Sequence, residues 1–183
     1  MNIPNYFTVF RIALIPLFVL MFYLPFSWSY IVCATLFAIA CLTDWLDGYL
    51  ARTLHQVSRL GTFLDPVADK LVVVTALVML VGSKHLPYIA IPAAIIIGRE
   101  IVVSALREWM AEIGKRTSVA VSYIGKFKTA IQMLSLFLLL LYSPQSSIWI
   151  GILGYSLLYI AAGLTLWSMT MYLKAAWPEI NLR

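Results

Sequence analysis

The chain has 183 residues, 62% of them apolar or aromatic and 11% charged, against roughly 45–50% and about 25% in an average soluble domain. That balance excludes a water-soluble globular fold. The net charge of +5 comes from 13 Lys and Arg residues that form no dense basic run, so the expected partner is a membrane with anionic headgroups and not nucleic acid.

At about 1.5 Å of rise per residue, roughly 20 helical residues cross a bilayer core of about 30 Å. The expected fold is an all-α integral membrane protein with six transmembrane helices, forming one domain over residues 1–183. No charge stands between Arg11 and Asp44, and Pro25-Phe26-Ser27-Trp28-Ser29 breaks this stretch into spans over about 7–24 and 28–51. No small-residue cleavage pattern follows the first span, which reads as retained. A third span covers about 62–81, ending in Gly82-Ser83-Lys84-His85, and a fourth covers about 87–109. Charge is again absent between Lys128 and Lys174, where Ser143-Pro144-Gln145-Ser146-Ser147 separates spans over about 127–142 and 148–173.

With a cytoplasmic N-terminus, Arg52, Arg59, Arg107, Lys115, Arg116, Lys126, Lys128, Lys174 and Arg183 fall on one side and Lys84 alone on the other. This positive-inside asymmetry predicts that both termini are cytoplasmic. Cys33 and Cys41 stand about 12 Å apart along one helix, beyond disulfide reach, and read as packing residues. Trp28, Tyr30, Trp149, Trp167 and Tyr172 lie near span ends as an interfacial belt, with no chemistry assigned to them.

All four Asp residues, Asp44, Asp47, Asp65 and Asp69, lie between positions 44 and 69. Asp44 and Asp47 are three apart near the end of the second span, and Asp65 and Asp69 are four apart near the start of the third. Each pair therefore shares a helical face. The short connection brings the pairs together roughly 6 to 12 Å inside the cytoplasmic boundary. A single Asp there would be an ordinary interfacial acid. Four without counter-charge would repel one another and resist insertion, whereas clustered carboxylate oxygens suit a hard divalent cation, Mg²⁺ or Mn²⁺. Gly48, Ala51 and Gly61 on the same faces leave room for a phosphorylated group to approach the backbone. Helix packing through small residues is the competing account.

Written out, the segment is Asp44-x-x-Asp47-Gly48-x-x-Ala51-Arg52, then eight residues, then Gly61-x-x-x-Asp65-x-x-x-Asp69. This resembles the signature of the CDP-alcohol phosphotransferases at every specified position and spacing. The resemblance implies a six-helix membrane bundle that moves a substituted phosphate from a CDP-linked donor to an acceptor hydroxyl and releases CMP. It further implies a bacterial inner-membrane location, one or two Mg²⁺ or Mn²⁺ ions on Asp44, Asp47, Asp65 and Asp69, and a homodimer. Asp69 is then a metal ligand, the catalytic general base, or both. Asp44, Asp47, Gly48, Ala51, Arg52 and Gly61 would bind the CDP-lipid.

Further stretches, including Gly98-Arg99-Glu100-Ile101 and Gly125-Lys126-Phe127-Lys128-Thr129, are similar to family members that use CDP-diacylglycerol as donor and glycerol 3-phosphate as acceptor. A dianionic acceptor needs fixed cationic donors, and the candidates are Arg11, Arg99, Arg107 and Lys126. Arg99 and Arg107, eight apart, share a stripe through position 103 that can face the bundle interior; Glu100 and Glu108 are alternative, purely structural partners for them. Two other readings stay open: the same donor with serine, inositol or inositol phosphate as acceptor, and a divalent-cation transporter.

Overall fold

The structure, a computed structural model, describes the backbone of residues 3–54, 59–113 and 123–180. Side chains are described for these residues except 3–5, 45, 47–54, 59–60, 62–63, 123–126, 175–176 and 178–180. The described residues form six helices and no strand: α1 (Ile3–Tyr23), α2 (Ser29–Leu54), α3 (Arg59–Gly82), α4 (Ala90–Glu112), α5 (Tyr123–Leu141) and α6 (Ile148–Ile180). Helices satisfy every backbone donor and acceptor within the segment, which apolar surroundings demand.

The helix breaks follow local chemistry. After α1 the chain turns through Pro25, with the Phe26 and Trp28 rings stacked at 5.3 Å and the Ser29 hydroxyl donating to the Phe26 carbonyl at 2.6 Å. Between α3 and α4, Tyr88 adopts φ 63°. This left-handed residue delays the start of α4 to Ala90, later than hydropathy suggests. Tyr155 and Tyr159 of α6 hold that turn by donating to the carbonyls of Pro87 and Tyr88 at 2.7 and 2.9 Å. At its far end α6 continues to Ile180, beyond the charge-free stretch.

Contacts between helices close a ring in the order α1, α2, α5, α6, α4, α3 and back to α1. Phe18, Phe37, Leu77, Leu80, Ile96, Leu136, Leu139 and Leu158 fill its core. The outer surface is inverted relative to a soluble protein: Leu20, Ile31, Leu42, Ile91 and Ile101 are all more than half exposed, while Thr8, Arg11, Lys128, Gln132, Ser135 and Thr165 are buried. Exposed apolar side chains on this scale need a nonaqueous surrounding. Residues Tyr6–Tyr23 and Ile148–Lys174 are long and apolar enough to cross a bilayer. This is a membrane protein.

The tightest helix contact is α5 on α6. Gly154 places its carbonyl 2.9 Å from the Ser135 hydroxyl, and a Cβ on Gly154 would lie 2.9 Å from Leu139 Cγ. Leu139 is itself buried and cannot swing away. Gly154→Ala therefore costs about 1–3 kcal/mol through overpacking, read as a lower melting temperature of the protein in detergent.

Candidate active site

The acidic pairs on α2 and α3 were expected to meet through direct packing of those two helices. Instead α1 lies against both, more extensively than they lie against each other. It carries Thr8 and Arg11, three residues apart and on one face, into the gap. The buried Arg11 guanidinium donates through one nitrogen to Asp44 Oδ1 at 3.1 Å and to Asp69 Oδ1. Thr8, also buried, donates its hydroxyl to Asp65 Oδ1. The helices extend further than the expected spans, so the acids stand roughly 9 to 15 Å from the nearer helix ends. At that depth a buried cation between carboxylates offsets much of their desolvation and mutual repulsion.

Asp44 and Asp69 keep 48% and 40% of their side chains exposed, the fraction that leaves carboxylate oxygen open beside Arg11. Both line a cavity of about 370 Å³. Its floor is apolar, with Ala40, Val73, Leu77 and Ile96. Three cations also line the cavity: Lys70 donates to the Ser104 hydroxyl, Arg99 donates to Glu100 Oε1 at 2.7 Å, and Lys128 Nζ lies 3.6 Å from the same oxygen. Two cations, Arg99 and Lys128, thus flank the Glu100 carboxylate, and with Lys70 this group of side chains is net positive. Arg99 also donates to the Ser168 hydroxyl at 3.3 Å, and its Nε is buried with no hydrogen-bond partner among the described residues.

The cavity thus gathers Arg11, Asp44, Asp69 and Arg99 among the residues picked from sequence. Asp65 stands beside them through Thr8, and Gly61 is buried. The side chains of Asp47, Gly48, Ala51, Arg52 and Lys126 lie outside the described residues. Arg107 does not line the cavity: it is exposed and donates to the Tyr172 hydroxyl at 2.9 Å. Sequence reasoning missed Thr8 as the partner of Asp65, and Lys70, Lys128 and Gln132 as cavity-lining residues. Their i,i+3 and i,i+4 spacing to Arg11 in one case, and to each other in the case of Lys128 and Gln132, was the available signal. Tyr172, read as belt, is in contact with two arginines.

For a metal ion the donor chemistry is suitable: the acids offer hard oxygens only. Among the described residues no three acidic, His or Cys side chains gather around one point. Asp47 is three residues from Asp44 on α2, and its side chain lies outside the described residues.

A sequence model of the CDP-alcohol phosphatidyltransferase family matches residues 1–167. Three relatives carry the name CDP-diacylglycerol–glycerol-3-phosphate 3-phosphatidyltransferase. The chain is similar to that of Pseudomonas fluorescens, 57% identical over 99% of this chain and 93% of the relative. With that of Yersinia enterocolitica it shares 56% over 98% and 97%, and with that of Pectobacterium atrosepticum 58% over 96% and 94%.

Proposed function

The chain belongs to the CDP-alcohol phosphatidyltransferase family, and from that premise we propose that it transfers the phosphatidyl group of CDP-diacylglycerol to glycerol 3-phosphate, giving phosphatidylglycerol phosphate and CMP. One observation carries the reading beyond the names of the relatives. A single cavity is lined by the carboxylates of Asp44 and Asp69, paired with Arg11, and by Lys70, Arg99 and Lys128. Its cationic residues suit a dianionic acceptor, and its carboxylates suit a divalent cation that would bind the polyanionic donor.

The acceptor hydroxyl attacks the phosphorus that bears diacylglycerol. Its proton passes to Asp69, the new oxygen–phosphorus bond forms, and the bond to the phosphoryl oxygen of CMP breaks. Arg11 donates to the carboxylates of Asp44 and Asp69 and holds them beside the cavity. Arg99, supported by Lys70 and Lys128, takes the acceptor phosphate; Arg107, exposed outside the cavity, and Lys126 are the further candidates. Gly48, Ala51, Arg52 and Gly61 complete the CDP-lipid side with Asp44 and Asp47. Divalent-metal dependence is general in this family. Asp44, Asp47, Asp65 and Asp69 would hold one or two Mg²⁺ or Mn²⁺ ions, whose charge neutralises the pyrophosphate and keeps attacking and leaving oxygens in line. The nine basic residues that the sequence assigns to one side, against Lys84 on the other, support a bacterial inner-membrane protein with its site and termini facing the cytoplasm. A homodimer belongs to the same reading.

The test is CMP release by purified protein in mixed micelles with CDP-diacylglycerol. Release requires glycerol 3-phosphate, stops with a chelator and returns with Mg²⁺ or Mn²⁺. Equal release with serine or inositol overturns the acceptor. Metal flux in proteoliposomes lacking CDP-lipid, with no CMP release, restores the transporter reading.

A further inference from the structure

The α6 residues Ser168 and Tyr172 stand one helical turn apart and face α4. Arg99 Cζ lies 5.6 Å from the Tyr172 ring centroid, and Arg107 Cζ lies 5.3 Å from it. Arg107 also donates to the Tyr172 hydroxyl at 2.9 Å. On the cavity side, Arg99 is fixed by Glu100 at 2.7 Å and by Ser168 at 3.3 Å, and its side chain is only 12% exposed. Two guanidinium groups gathered on one ring repel each other, a cost that the ring offsets in part and that an arriving anion offsets further. One of the two is exposed at the surface and the other lines the cavity.

We infer that Tyr172 and Ser168 are positioning residues for the acceptor. They fix the plane of Arg99 inside the cavity, and Tyr172 holds Arg107 outside it, so that two guanidinium groups lead a phosphate from the aqueous side inward. This rests on the proposed use of glycerol 3-phosphate and adds α6 to the machinery of that site. The Arg99 side chain is long and rotatable; without the ring and the Ser168 hydroxyl its fork samples orientations that miss the phosphate. The consequence falls on acceptor affinity and leaves donor affinity and the chemical step largely untouched.

The experiment measures steady-state CMP release by Tyr172→Leu, Tyr172→Phe and Ser168→Ala in mixed micelles, varying each substrate in turn. Tyr172→Leu is expected to raise KM for glycerol 3-phosphate about tenfold, with KM for CDP-diacylglycerol and kcat within about twofold. Tyr172→Phe keeps the ring and recovers most of that loss, and Ser168→Ala raises the acceptor KM a few-fold. An unchanged acceptor KM in Tyr172→Leu, or equal rises in both KM values, overturns the inference. If Tyr172→Leu does not fold, Ser168→Ala decides by the same criterion. Wild-type protein that releases CMP without glycerol 3-phosphate defeats the proposed function itself, an outcome separate from any failure of the variants.

Discussion

Replacing Asp69 with Asn is expected to lower CMP release by about 10³-fold, within the roughly 10²–10⁴-fold supplied by a positioned proton acceptor plus the loss of one carboxylate charge beside the transferring phosphate. The substitution keeps shape and leaves an amide oxygen able to accept from Arg11, which now bonds both Asp44 and Asp69. The protein should therefore remain folded, with a melting temperature near that of wild type, and the loss should appear in kcat. A rate within tenfold of wild type, in protein that melts normally, removes Asp69 as the base. Asp44→Asn provides the contrast: Asp44 faces the same cavity, and its loss should be partly relieved by raising the concentration of divalent cation if its role is to bind one.

Arg11→Met is expected to have the largest effect on stability. Its side chain is 1% exposed, yet both of its carboxylate partners are nearly half exposed. Removing one member of a buried charged pair costs roughly 3–5 kcal/mol where the survivor is fully buried. Here the surviving carboxylates retain partial hydration, so about 2–3 kcal/mol is the expected loss, close to two charged hydrogen bonds. Calorimetric or fluorescence melting in detergent checks the figure. Arg11→Lys should recover part of it, since an ammonium keeps the charge without the planar fork. A Met variant that melts like wild type shows that the carboxylates are neutralised by something other than Arg11.

The helices were legible because their signal is redundant: long apolar runs punctuated by Pro25, Pro144 and the Gly82 to Leu86 turn leave little freedom in assigning them. The acidic cluster was legible because the whole Asp content falls between positions 44 and 69. What joins the acids was not. Proximity in the chain made α2 and α3 natural neighbours, but Thr8 and Arg11 are more than 30 residues from the nearest acid, and only the ring order shows that α1 fills the gap. The reading of Arg107 shows a second limit. Helical periodicity placed it with Arg99 on one stripe, and both do meet Tyr172; yet two turns of helix, about 11 Å, carry Arg107 from the cavity to the exposed edge. Periodicity gives direction around a helix and says nothing about where along its length a cavity ends.

The ring order also sets the sequence in which the site can be built during synthesis. Arg11 is translated before Asp44 and Asp69, so the counter-charge is already at hand when the acidic helices are made, and this ion-paired cluster is complete after three helices. Arg99 and Lys128 come with α4 and α5, and Arg99 gains Ser168 and Tyr172 only when α6, the last helix made, closes against α4. A nascent chain therefore acquires the Arg11 ion pairs early and the α6 contacts of Arg99 last.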